Sequence, residues 1–290
     1  MMSRWSMVLL TALAASAAAA QSYPQRPIRL VVPYSAGGST DTVARIVGQR
    51  LSERLGQQVV VDNRTGAGTL IGTGIVAQSA PDGYTLLMAT PPLAINPALY
   101  PKVPYVLERD FAPVTNIAAS SNLLVVHPSV PAHSVRELIA LLKAHPGKYN
   151  YGSSGIGGAS HLATALFTGM AGVDAVHVPY KGGAPAVTDL VAGRLNIMMA
   201  NLTTAQPYIR AGRLRALGVG TKQRTPLFPE MPTLAEAGVP GYEANNWNGV
   251  VAPHATPRAI IGRLHQEIVA VLKEPAVAER LTRAGLDPIG

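Results

Sequence analysis

Between Ile28 and Leu55 the chain passes from strand-like to helical patterning within a few residues, and that change dictates an α/β fold. Ile28 to Val32 is a short apolar run suited to a strand and broken by Pro33. Tyr34-Ser35-Ala36-Gly37-Gly38-Ser39 reads as a turn. After it, Val43, Ile46, Val47, Leu51 and Leu55 recur at three- and four-residue spacings, one face of an amphipathic helix. Ser39 or Thr40 suits the N-cap, Asp41 falls in the first turn, and Gly56 closes the C-terminus. A helix start carries unpaired backbone N–H groups and a positive partial charge, and two glycines before it let a ligand approach the backbone. The stretch is therefore a candidate anion site. The same residues also suit an ordinary βα connection.

The alternation continues to the end of the chain, which predicts largely parallel sheets. Strands are expected at Val59–Val61, Tyr84–Met88, Phe111–Ile117, Leu123–Val126, Tyr149–Tyr151, Val176–Val178, Leu195–Met199, Leu214–Val219 and Trp247–Ala252. Ser134 with Glu137, and Thr233 with Glu236, form capping boxes, the second ahead of a short helix. Thr90 to Pro104 reads as a Pro-rich connection. Thr256 and Pro257 open a long final helix, and a last short one ends at Gly285. One echo links the halves: Val32-Pro33-Tyr34 before Gly37-Gly38, and Val178-Pro179-Tyr180 before Gly182-Gly183. With the turn from Tyr151 to Ser160, each half offers anion-friendly helix starts. If the halves face each other, these converge on one cleft.

Arg4, the apolar run Met7–Ala15 and Ala18-Ala19-Ala20 predict a secretory signal peptide over residues 1–20. The apolar run is shorter than the ~20 residues that span a bilayer. The remainder suffices for two domains at about 100–200 residues each. With no cysteine, disulfides and thiolate chemistry are excluded. The formal charge is +8, yet Lys and Arg are scattered and aromatics few. No nucleic acid partner is expected; an acidic small ligand or an anionic membrane surface suits this balance better.

Enzyme motifs fail one after another. Gly152-Ser153-Ser154-Gly155-Ile156 has isoleucine where a nucleophile elbow needs its second glycine. No P-loop occurs, and in Gly66-Ala67-Gly68-Thr69-Leu70-Ile71-Gly72 the last glycine comes one position late for a dinucleotide fingerprint. His127 and His133 are separated by prolines, and His161 stands alone, suited to a satisfied polar role or to supporting the neighbouring turn. No metal or cofactor is expected. Arg64 and Lys181 each follow a strand, where either offers a cation to a carboxylate or is simply solvated. Asp41 suits a helix-dipole role better than a ligand contact.

These motifs together resemble the periplasmic solute receptors of tripartite tricarboxylate transporters, the Bug-type receptors. The resemblance is carried by Tyr-Pro-x-Arg-Pro-Ile (23–28), Pro-Tyr-x-x-Gly-Gly-x-x-Asp (33–41), Asp-Asn-Arg-x-Gly-Ala-Gly (62–68) and Pro-Asp-Gly-Tyr-Thr-Leu (81–86). It continues through Tyr-Gly-Ser-Ser-Gly-x-Gly (151–157), Val-Pro-Tyr-Lys-Gly (178–182) and Ala-Gly-Arg-Leu-Arg-Ala-Leu (211–217). It implies a periplasmic-binding-protein type II-like α/β fold, with two α/β lobes joined by two crossing segments and a ligand cleft between them. One lobe would hold residues 22–123 plus 247–290, the other 124–246. The implied function is capture of a small organic carboxylate in the periplasm and delivery to the membrane permease subunits, by a monomer without catalysis. A sensory receptor on the same fold, or less favourably an exported hydrolase, are the rival readings. The implied site comprises Tyr34, Ala36, Gly37, Gly38, Ser39, Thr65, Gly66, Ala67, Gly68 and Thr90. From the second lobe it takes Ser153, Ser154, Gly155, Gly157, His161, Tyr180 and Asn201. Two features depart from the family pattern. Ala200 stands where many members carry an acid before the asparagine, which argues for a ligand without an amine. Relatives also usually extend past the position of Gly290 into one more helix of the first lobe.

Overall fold

The computed structural model describes residues 23–289, so the leader expected at 1–20 lies outside the described residues. The first lobe is built from β1 (Ile28–Val32), β2 (Val59–Asn63), β3 (Thr85–Ala89), β4 (Phe111–Ser120), β10 (Asn246–Pro253) and β11 (Leu286–Pro288). Its helices are α1 (Ser39–Leu55), α2 (Leu70–Ala77), α3 (Pro92–Leu99), α4 (Leu107–Asp110), α9 (Arg258–Leu272) and α10 (Pro275–Arg283). The second lobe holds β5 (Asn122–Val126), β6 (Asn150–Ser153), β7 (Val176–Pro179), β8 (Ile197–Asn201) and β9 (Arg215–Val219). Around them lie α5 (Val135–Ala144), α6 (Ala159–Ala171), α7 (Gly183–Val191) and α8 (Leu202–Arg210). Strand order is β11-β4-β10-β3-β1-β2 in the first sheet and β7-β6-β8-β5-β9 in the second.

Both sheets are covered on two faces, which explains why strands such as β3, β5 and β8 carry apolar residues at successive positions. Strand geometry sends alternate residues to opposite sides. In β3, Leu86 and Met88 join the core under α1 and α9, while Leu87 and Ala89 join a smaller core with Val76, Leu93, Tyr105 and Phe111. In β8, Ile197 and Met199 face one layer of the second lobe, Met198 and Ala200 the other. The α1 stripe is as the spacing predicts: Val43, Ile46, Val47, Leu51 and Leu55 are all buried, and Gly56 closes the helix at φ 65°.

The sheets are mixed, which corrects the expectation of largely parallel ones. β1 runs parallel to β2 and β3, and β6 to β7 and β8, but β10 is antiparallel to β3 and β4, and β5 to β8 and β9. Apolar patterning reports that a strand is buried, not which way it runs. The chain changes sheet at Ser121, between β4 and β5, and returns at Asn246, so the lobe limits 123/124 and 246/247 fall just inside β5 and β10. The Pro-rich connection contains α3, which starts on Pro92 and tolerates Pro97. The Thr233–Glu236 box forms reciprocally, at 3.1 and 2.9 Å, but closes a turn, not a helix. At α1, Gly38 is the N-cap and the Ser39 hydroxyl makes no capping bond.

Candidate functional site

Three helix starts meet between the lobes. The first residues of α1 (Ser39, Thr40), α6 (Ala159) and α7 (Gly183) line one small cavity of about 20 Å³, together with Tyr34, Gly38, Thr90, Ser154, Asn201 and Asn246. First-turn amides have no intrahelical acceptor, so each start adds donors and positive partial charge to the same space. Among the described residues no carboxylate or cation lines it. Ser39 and Asn246 are each 4% exposed, and neither Ser39 Oγ nor Asn246 Oδ1 has a hydrogen-bond partner. A buried polar atom left unpaired costs about 1–3 kcal/mol; here Ser39 Oγ keeps an unused donor and Asn246 Oδ1 an unused acceptor. Asn246 Nδ2 donates to Ser120 Oγ at 3.0 Å, and Asn201 Nδ2 donates to Asn122 Oδ1 at 3.0 Å, which anchors both asparagines to the crossing strands. Burial pushes the Tyr34 phenol up to about 12, so it remains a protonated donor at neutral pH, 3.4 Å from Thr90 Oγ1.

The turns around this cavity are pinned by side chains. Asp41 is buried and accepts from Gly37 N–H (2.9 Å), Arg45 Nε (2.9 Å) and Asn63 Nδ2 (3.0 Å). Burial raises its carboxyl, but the hydrogen bonds from Arg45, Gly37 and Asn63 outweigh burial and hold it below the ordinary carboxylate range. On the facing lobe, Gly155 N–H donates to Ser153 Oγ (3.2 Å), Ser154 N–H to Ser160 Oγ (2.7 Å) and Gly157 N–H to His161 Nδ1 (3.2 Å). The amides of both glycine-rich turns are thus largely spent within the protein. The donors aimed at the cavity come from the helix starts behind them.

Beyond Ser154 the cleft widens into a second cavity of about 660 Å³, walled by Gly66–Thr69 and Tyr100 from one lobe and Ser154–Ile156 and Pro179–Lys181 from the other. The lobes touch along it. Tyr100 Oη donates to the Ile156 carbonyl at 2.9 Å, and Ser35 N–H to the Lys181 carbonyl at 3.2 Å. In the 66–69 stretch even Ala67 (φ 47°) and Thr69 (φ 85°) take positive φ, and Asn96 Nδ2 holds the Gly68 carbonyl at 2.9 Å. Non-glycine residues in that region cost of order 1–3 kcal/mol each, and such strain clusters at ligand clamps.

Of the residues expected at the site, Tyr34, Gly38, Ser39, Thr90, Ser154 and Asn201 line the inner cavity; Gly66, Ala67, Gly68, Ser154, Gly155 and Tyr180 line the outer one. Thr65 lines neither. Ala36 and Gly37 are exposed, with Gly37 facing Ala184. Gly157 faces Leu99 and Asn96 across the lobes. Ser153 is fully buried and bonded to His177 Nε2 at 2.6 Å. Arg64 pairs with Asp62 at 3.0 Å, whereas Lys181 lies on the outer cavity. Ala200 is buried in an apolar layer with Leu123, Val125 and Met198 and lines neither cavity, so that position carries no information about a ligand amine. Thr40, Ala159, Gly183 and Asn246 were not expected. Gly183 had a signal in the Val-Pro-Tyr echo; Asn246 had none, since it sits beyond every motif.

His177 was also missed. Its ring stacks between Tyr151 (4.8 Å) and His161 (4.2 Å). Among the described residues no carboxylate hydrogen-bonds either imidazole, so Ser153–His177 lacks an orienting acid and Ser153 lacks access. Burial, then the neighbouring His161, pushes His177 down to about 4. An unfolded histidine titrates near 6.5, so between these values the unfolded chain binds more protons and stability rises with pH. Acidification from pH 7 to 4 is therefore expected to cost stability through this ring, by about 1–2 kcal/mol after allowing for its partial exposure. Thermal melts across that window will test it: His177→Phe should flatten the slope, and an unchanged slope refutes the assignment.

Comparison with known proteins agrees with the two-lobe fold. The profile of the tripartite tricarboxylate transporter family receptor, TctC, matches residues 43–290. Protein BugT of Bordetella pertussis is 40% identical over 97% of this chain and 87% of its own length. Rpa4515 of R. palustris, solved with adipate, superposes with a TM-score of 0.89 at 41% identity, covering 92% of this chain and 89% of that one. MatC from Rhodopseudomonas palustris, solved with bound malate, gives 0.87 at 33% identity, covering 91% and 90%. The chain belongs to the tripartite tricarboxylate transporter receptor family and is of Bug type, a family of solute receptors and not of enzymes.

Proposed function

We propose that this family member captures a small organic carboxylate from the periplasm in the cleft between its lobes and delivers it to the membrane subunits of a tripartite transporter. The observation that carries the reading is the meeting of three helix starts, α1, α6 and α7, on one uncharged cavity beside the unpartnered Ser39 Oγ, a hydroxyl free to donate. A carboxylate there gains oriented donors without a formal counter-ion and bridges both lobes, and differential contact with both is what shifts a two-lobe receptor toward its closed state. Relatives solved with adipate and malate support the class of ligand. That no acidic residue lines either cavity among the described residues supports its sign.

A thermal-shift and calorimetric screen of mono-, di- and tricarboxylates against their neutral amides tests this. A cognate acid at 100 times its Kd should add about 2.7 kcal/mol to apparent stability, while the matching amide should not. Equal response to acids and amides, or no response to any acid, overturns the reading. Uptake of the identified acid should then fall in cells lacking the chain.

A further inference from the structure

The inner and outer cavities differ in chemistry, and the difference bears on what lies beyond the carboxylate. At about 20 Å³ the inner cavity holds one small polar group. Two larger spaces adjoin it: one of about 240 Å³ shares Ala159, and the roomier one, the outer chamber, shares Ser154. The outer chamber's 660 Å³ falls within the roughly 300–1,000 Å³ that encloses much larger ligands. Its wall is carbon-rich: Pro33, Ile156, Pro179 and Pro185, with the rings of Tyr100 and Tyr180. Both phenols are turned elsewhere, Tyr100 Oη to the Ile156 carbonyl at 2.9 Å and Tyr180 Oη to Asp189 Oδ2 at 2.7 Å, so the rings offer faces and not donors. Ile156 remains 50% exposed although the lobes already touch at its own carbonyl. Among the described residues Lys181 is the one charged group on this wall, and it is exposed, at the solvent side.

Resting on the carboxylate reading above, we infer that the cognate ligand carries an apolar body, a ring or a chain of several methylenes, beyond its inner carboxylate. Short hydroxylated di- and tricarboxylates would be selected against. Hydroxyls and extra carboxylates placed along this wall lose water without gaining partners, whereas a ring or methylene chain covers Ile156 and the prolines. A second anionic end is tolerated only where it reaches Lys181 at the rim.

Calorimetry with hexanoate, benzoate, adipate, malate and citrate on the full chain decides it. The first three should bind at least about tenfold more tightly than malate and citrate. Ile156→Asn, a neutral polar change at a half-exposed position whose carbonyl is kept, should weaken hexanoate and benzoate at least about tenfold, and acetate, which fills only the inner cavity, should lose far less. Malate or citrate binding as tightly as hexanoate overturns this inference and leaves the carboxylate reading standing, as does unchanged hexanoate binding in Ile156→Asn. Failure of all the acids to bind overturns both.

Discussion

Gly68→Ala is expected to fold and yet to lose at least about 100-fold in ligand affinity, some 2.7 kcal/mol. A Cβ at this position would stand 2.1 Å from the Ile156 carbonyl oxygen and 2.6 Å from Tyr100 Oη. The first of these is backbone of the opposite lobe, and neither side yields easily: Asn96 Nδ2 fixes the Gly68 carbonyl and Tyr100 Oη fixes that of Ile156. The clash with the Ile156 backbone exists only while the lobes touch. Tyr100 stands on the lobe of Gly68 itself, but its Oη is the far end of a side chain that is free to swing aside once the Ile156 carbonyl withdraws. What is left is chiefly the positive φ of 59°, about 1 kcal/mol for alanine. Binding and folding should therefore separate, with a shift of a few degrees in melting temperature and a collapse of affinity. Small-angle scattering adds the physical readout, since the native chain should compact on ligand addition and the variant should not. Native affinity in Gly68→Ala would mean that the Gly68–Ile156 contact is no part of the liganded state.

That contact also marks where sequence reasoning stops. The strand-turn-helix units were legible because burial on two faces writes itself into composition: β3, β5 and β8 each carry four apolar residues in a row, and α1 shows its stripe at helical spacing. The turns were legible because positive φ demands glycine at places such as Gly37 and Gly56. Strand direction was not, since the same run suits either sense. The role of each polar residue inside the turns was also hidden. Ser153 and Ser154 are neighbours of one type, yet one is buried against His177 and the other lines both cavities. A strand's alternation separates them, and its register was not fixed by any motif. Asp41 behaves as its place in a first helical turn suggested, holding Gly37 N–H, Arg45 and Asn63 and leaving the cavity to Ser39. Asn246 was beyond reach because it enters the site along a crossing strand, more than 200 residues from the motif it faces.

Ser39 offers the sharpest electrostatic test, because the substitution that should ruin binding is one that a helix start favours. Ser39 is the first residue of α1, its Oγ is unpartnered, and it lines the inner cavity. An aspartate there gains about 0.3–1 kcal/mol from the helix dipole, which offsets repulsion from Asp41 two residues on. In the free chain, with the cleft open to water, its charge remains solvated, so Ser39→Asp should melt within a few degrees of the native protein. Closing the lobes over a carboxylate would bury two like charges in a space of about 20 Å³ that holds no cation. Affinity should fall beyond about 1,000-fold, or roughly 4 kcal/mol. Ser39→Ala removes one hydrogen bond to a charged group and should cost about 1.5–3 kcal/mol, roughly 10- to 150-fold. The order native, alanine, aspartate in calorimetric Kd, at nearly constant melting temperature, is the signature of an anion held at the start of α1. Aspartate binding as well as alanine would show that no negative charge comes near this helix.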